Sequence, residues 1–196
     1  AHIYYSHFLN IMHRPGEAMA EAARALELDP FNALFHSLYG VDLVFAYRFD
    51  EALAEFETVL EANPTDLLAL FGLVSVHHHK REYKQALNSV NRLAKVQGYG
   101  EVTTLLAQTA EEADYSKTMN LAADILAARS RETFVLPTDI AIWYAYAGDT
   151  DACLEWLDRA YQVQDPALPY LWIPDYDGVR NDSRFVALMK RMNLPQ

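Results

Sequence analysis

Between Leu34 and Tyr47 the apolar residues fall at Leu34, Leu38, Val41, Val44 and Phe45. Steps of three and four belong to a helix, whereas a half-buried strand would alternate. Gly40 lies inside this helix, where glycine costs about 1 kcal/mol. Close approach by another helix is the simplest reason to accept it. Asp50 stands where an N-cap belongs, ahead of Glu51 in a first turn. A second stripe follows at Ala52, Phe56, Val59 and Leu60. Small Ala52 lets two helices cross closely, and Phe56 fills the space beside it. Pro64 ends the second helix by pushing Asn63 out of the helical region. The stretch 33–66 is thus predicted to be a helical hairpin.

The layout recurs. Ala18, Ala52 and Ala86 are 34 residues apart, as are Pro30 and Pro64, and Glu17, Glu51 and Gln85. With this small, aromatic and proline pattern, a period of about 34 resembles the tetratricopeptide repeat (TPR). The resemblance covers most of the chain and divides it into hairpins at about 1–32, 33–66, 67–98, 99–133 and 134–166. The first is marked by His2, Tyr5, Ser6 and Leu9, with Ala22 where an aromatic is usual. The third is marked by Leu70, Leu73, Val74 and His77, with Gly98 in place of proline. In the fourth, Tyr115 fits the start of a second helix but Thr118 replaces the alanine. The fifth recovers the pattern through Ile140, Ala141, Tyr144, Gly148, Cys153, Leu157, Ala160 and Asp165-Pro166. The fold implied is all-α, a TPR-type right-handed superhelix of about five hairpins in one continuous array over 1–166.

After Gln164 the texture changes. Pro166, Pro169 and Pro174 are interleaved with Tyr170, Trp172 and Tyr176. This reads as an extended strap whose aromatics pack on the last hairpin. Asn181-Asp182-Ser183 then starts a helix from Arg184 to Met192, with Phe185, Leu188 and Met189 facing inward. Residues 167–196 would cover the last apolar face of the stack. Pro137-Thr138-Asp139-Ile140-Ala141, Ala147-Gly148-Asp149, Leu154-Glu155-Trp156-Leu157, Ala160-Tyr161 and Asp182-Ser183-Arg184-Phe185 are similar to a particular subgroup. These are the C-terminal TPR regions of bacterial signalling proteins that follow adenylate cyclase, winged-helix regulator or Ser/Thr kinase domains. The departures are Cys153 for alanine and Asn181-Asp182-Ser183 where a proline often follows the aspartate. The resemblance implies a sensory or interaction module attached to an output domain.

Composition narrows the classes. A net charge of −11 disfavours nucleic acid and anionic membranes as partners. Lys80-Arg81, Arg129–Arg131, Glu111-Glu112 and Asp149–Asp151 read as solvated helix ends and turns. One cysteine allows no internal disulfide, and no apolar run approaches a membrane span. A cytoplasmic location is expected. The chain starts at Ala1 with an uncapped first helix, so a segment of a longer protein is expected.

No motif carries chemistry. The glycines form neither a phosphate loop nor a dinucleotide fingerprint, and no catalytic residue, metal site or cofactor is expected. Cys153 falls on a small-residue packing position and reads as a buried hydrophobe. His77-His78-His79 are consecutive, so their side chains point about 100° apart and cannot share a metal as an i, i+4 pair can. Asp175-Tyr176-Asp177-Gly178 lacks the remaining ligands of a calcium loop and reads as a turn. Asn181-Asp182-Ser183 matches a glycosylation acceptor, but its simpler role is helix capping.

In TPR proteins the first helices of the hairpins line the concave face. By register this implies a groove of His7, Asn10 and Ile11, then Ser37, Val41, Val44 and Phe45, then Phe71, Ser75, His78 and His79, then Ile142 and Tyr146. The Lys, Asn and Arg positions with which TPR domains clamp a C-terminal carboxylate are absent apart from Asn10, so chaperone tails are not expected. A groove this apolar suits a hydrophobic or helical segment of a protein partner or of another domain of the parent chain. Three alternatives stay open: cover by an element of the same chain, a small-ligand or metal-responsive pocket around His78, His79 and Tyr146, and self-association end to end.

Overall fold

The computed structural model describes residues 1–109 and 114–195. Among these there are eleven α-helices and two 3-10 turns, and no strand. Contacts gather into two compact units, Ala1–Gly98 with Trp172–Pro174, and Tyr99–Leu171 with Asp175–Gln196.

The first unit holds α1 (His2–Ile11), α2 (Pro15–Leu28), α3 (Ala33–Phe45), α4 (Phe49–Ala62), α5 (Leu67–His79) and α6 (Tyr83–Gln97). Helices pack in antiparallel pairs, and each pair packs on the next. The first helices α1, α3 and α5 also touch in succession, while the second helices touch each other marginally at most. The stack is therefore tighter on the first-helix side, which makes that side its inner face. This is the TPR-type arrangement.

The 34-residue period is visible in details that the stripes alone do not carry. His13, Tyr47 and Arg81, one in each hairpin turn, hold left-handed backbone with φ of 53°, 57° and 60°. None is glycine, so each costs on the order of 1 kcal/mol. At the start of the second helix, Arg14 donates to Glu17 and Arg48 to Glu51. The first helices of the next pairs are capped by Asn32 on the Phe35 N–H and Asp66 on the Ala69 N–H. His2 and His36 bond Glu21 and Glu55 at 2.6 and 2.7 Å.

Phe56 is the steric key of this unit. Its ring is fully buried between two glycines. A Cβ at Gly40 of α3 would lie 2.5 Å from the ring, and one at Gly72 of α5 would intrude further still. The helices on both sides can close on α4 only because neither carries a side chain there.

The second unit holds α7 (Gly100–Thr109), α8 (Tyr115–Arg129), α9 (Pro137–Ala147), α10 (Thr150–Gln162) and α11 (Ser183–Arg191). Its core includes Met119, Leu126, Ile140, Trp143 and Leu157, with Phe185, Leu188 and Met189 of α11 buried as well. Asp165 pins the strap to α9: it accepts from the Thr138 N–H at 3.0 Å, the Thr138 hydroxyl at 2.9 Å and the Ala167 N–H at 2.9 Å.

Several expectations need correction. Helix α4 starts at Phe49 with Arg48 at the N-cap, so Asp50 lies in the first turn. The Arg48–Glu51 pair takes the place of a side-chain cap. Leu34 is exposed and Leu38 and Val41 are half-buried, because α3 is covered on more than one side and the buried set shifts to Ser37, Gly40, Leu43 and Val44. The strap is not extended throughout: Leu168–Tyr170 and Pro174–Tyr176 are 3-10 turns, since proline's fixed φ suits a first helical turn. Tyr176 does pack on α9, its hydroxyl 3.4 Å from the Thr138 carbonyl oxygen. Trp172 instead belongs to the first unit, where its indole stacks on His13 at 3.7 Å. Arg129 is not merely solvated, for its guanidinium lies over the Tyr99 ring. Glu111-Glu112 lie outside the described residues.

Candidate functional site

The inner face of the first unit is built from α1, α3 and α5. Of the residues assigned to it by register, His7, Asn10, Ser37, Val44, Phe45 and Ser75 are buried, and Ile11, Val41, Phe71, His78 and His79 keep part of their surface open. The open residues are mainly apolar and aromatic. The His79 imidazole stacks flat on Phe49 at 4.9 Å, and His78 meets His79 edge-on at 5.1 Å. Ser37 donates to the α5 cap residue Asp66 at 3.4 Å.

His7 and Asn10 form the seam between α1 and α3. Their partner is Asp42, which the repeat register does not single out. Asn10 donates to Asp42 at 2.5 Å, and His7 Nε2 lies 3.7 Å from the same carboxylate oxygen. Asp42 and Asn10 are both 0 % exposed. Asp42 Oδ2 and Asn10 Oδ1 have no hydrogen-bond partner among the described residues. Burial pushes the Asp42 carboxyl up to about 7, against the pull of hydrogen bonds from Ser6 and Asn10. Burial likewise lowers the His7 pKa, with the Leu38 backbone opposing. Both shifts favour the neutral forms of two groups that approach to 3.7 Å. The signal was available: Asp42 is the one carboxylate inside the apolar run from Leu38 to Phe45.

In the second unit, Ile142 is half-buried and Tyr146 is buried, its hydroxyl donating to Asp175. Asp139, at the first turn of α9, is pushed up to about 7 by burial and then by the nearby Asp165. Cys153 is fully buried, and burial, with Asp149 adding to it, pushes its thiol up to about 12. A thiol of that kind supplies almost no thiolate at neutral pH. Among the described residues no three His, Cys, Asp or Glu side chains converge as metal ligands. No helix there is long and apolar enough to cross a membrane.

A family profile described as a tetratricopeptide repeat matches residues 46–109. The match supports a TPR protein. It begins at the turn before α4 and runs to the end of α7. TPR repeats generally mediate protein–protein interaction. No curated protein matches the chain.

Proposed function

We propose that this chain is a non-catalytic interaction module that takes a partner segment against α1, α3 and α5 of its first unit. The observation that carries this is the half-open row Ile11, Val41, Phe71, His78 and His79 on the tighter side of the stack. Four features favour a hydrophobic or helical protein segment over a charged ligand: the aliphatic residues, Phe71, the flat His79–Phe49 stack, and the absence of Lys and Arg from the row. The segment belongs to another protein or to another domain of the parent chain. The resemblance of residues 137–185 to the C-terminal TPR regions of bacterial signalling proteins supports a cytoplasmic regulator, in which this module couples partner capture to an output domain.

The test is selection of binding segments from a random peptide library on the immobilised chain, repeated with a Phe71→Glu variant whose fold is verified by circular dichroism. The expected result is a family of amphipathic apolar peptides whose binding falls at least about tenfold in the variant, as for loss of one buried interface contact. Equal binding to the folded variant would refute the assignment of this face.

A further inference from the structure

The seam between α1 and α3 is polar where the fold does not ask for it. Ser6, His7 and Asn10 on α1 and Asp42 on α3 are all buried. One period of 34 residues later the same positions are Gly40, Val41, Val44 and Val76. Val44 and Val76 are buried too. Packing at these positions therefore accepts a pair of valines, and the Asn10–Asp42 pair needs another explanation. Asn10 Nδ2 donates to Asp42 Oδ1 at 2.5 Å. The other oxygen of each group, Asn10 Oδ1 and Asp42 Oδ2, has no hydrogen-bond partner among the described residues. An amide oxygen only accepts, and so does a carboxylate oxygen while the group is ionised.

One proton satisfies both oxygens. Amide and carboxyl are planar groups. When their planes align, the bond already made sets the two remaining oxygens side by side, and a protonated carboxyl gains the donor that the amide oxygen lacks. Turning the Asn10 amide over gives the same ring with the two carboxyl oxygens exchanged. Ser6 is a nearby donor, but its one hydroxyl proton goes to the Ile3 carbonyl at 2.7 Å. Helix α3 packs on α1, α2, α4 and α5. From α1 the titratable group facing Asp42 is His7, with Nε2 3.7 Å from Oδ1. On α3 itself it is Tyr39, and the charges of Arg48, Glu51 and Glu55 bear on that phenol. The buried residues of α2, α4 and α5 include no titratable side chain.

We infer that Asp42 holds a proton on Oδ2 and donates it to Asn10 Oδ1, closing a ring of two hydrogen bonds between α3 and α1, and that release of this proton to solvent loosens the two helices. Burial, which pushes the carboxyl up from 3.8 to about 7, keeps the ring closed in mildly acid solution. In an open seam the carboxyl returns to its ordinary value. Opening therefore releases a proton between about pH 4 and pH 7 and becomes easier as pH rises through that window. Above about pH 7 the closed seam has lost the proton as well, and Asp42 adds no further dependence. His7 works the other way, since burial lowers its pKa and opening restores it. Helix α1 carries Ile11 and α3 carries Val41, so opening displaces two members of the half-open row. That last consequence alone rests on the proposed binding role.

Carboxyl-carbon NMR on the whole chain, with no peptide added and no variant needed, tests the proton. The Asp42 carboxyl and the Asn10 side-chain amide should shift together through one midpoint near pH 7. An Asp42 already ionised at about pH 5, or an Asn10 amide that does not follow the carboxyl, overturns the inference. Hydrogen exchange of the chain and its Asp42→Asn variant, compared at equal pH, tests the loosening, because an amide at this position keeps a ring that has no acid proton to lose. At about pH 8 the α1 amides of the variant should exchange at least about tenfold more slowly, and at about pH 4 the two chains should nearly agree. Equal rates at both pH values, or faster exchange in the variant at both, overturn it too. Neither readout involves a bound segment, so the seam and the binding face fail separately.

Discussion

Two seams inside the first unit solve the same packing problem by opposite means. Around α4 the solution is steric and dry: Phe56 fills a slot that Gly40 and Gly72 leave open from either side. Between α1 and α3 it is polar: Asp42, Asn10, His7 and Ser6 are buried together, with two oxygens lacking hydrogen-bond partners among the described residues. The first seam is fixed by shape and should be indifferent to pH. The second depends on which groups hold protons. The lesson is that a repeat period sets where helices meet without setting what holds them there.

The largest expected effect falls on the dry seam. Phe56→Ala empties a slot walled by two helices that carry no side chain to refill it. It should cost about 3–5 kcal/mol in urea unfolding. A loss below about 1 kcal/mol would mean that α3 and α5 collapse onto α4 and that the ring is no key.

The polar seam predicts a pH dependence of defined sign. Burial pushes the folded Asp42 carboxyl up to about 7, above its ordinary value of 3.8. Its stabilising contribution is complete below about pH 4 and is lost as pH rises through about 7. His7 has the opposite effect, because its lowered pKa makes burial costly below its ordinary value of 6.5. The two partly cancel in mildly acid solution, and the Asp42 effect stands alone above about pH 7. Asp42→Asn keeps the shape and removes the charge, so it should stabilise by about 1–3 kcal/mol near pH 8 and change little near pH 4. Destabilisation at both pH values would show that the seam needs the carboxylate.

The smallest effect concerns the turns, where the two seams should behave alike. Arg81 is exposed and holds a φ of 60°. Arg81→Gly relieves that conformation at a cost in unfolded-chain entropy, for a net gain of about 0.5–1 kcal/mol. Thermal unfolding of the variant would check it.

The hairpins were legible because proline, alanine and aromatic positions recur at 34 residues and each imposes a local constraint. Gly40 inside an apolar helix signalled close approach by another helix, but spacing did not name Phe56 as the ring that fills the gap. Gly72 gave no such signal, because it lies two residues off the Gly40 register and gains its role only from the ring of the preceding hairpin. Asp42 was hidden for a related reason. Periodicity treats a lone carboxylate as solvated, and only the stacking of α1 on α3 puts it in the interior. Trp172 was assigned by chain proximity to the last hairpin, whereas its ring lies on His13. The half-open row follows from register. Which of its members stay open depends on side-chain packing between helices, which no single hairpin encodes.

The inner face of the first unit carries the proposed binding role. Hydrogen exchange of the chain with and without a peptide selected on it would test this directly. The predicted result is slowed exchange confined to α1, α3 and α5, around Ile11, Val41, Phe71 and His78, with α2, α4 and α6 unchanged. Protection on the second helices instead, or none on either set, would contradict it.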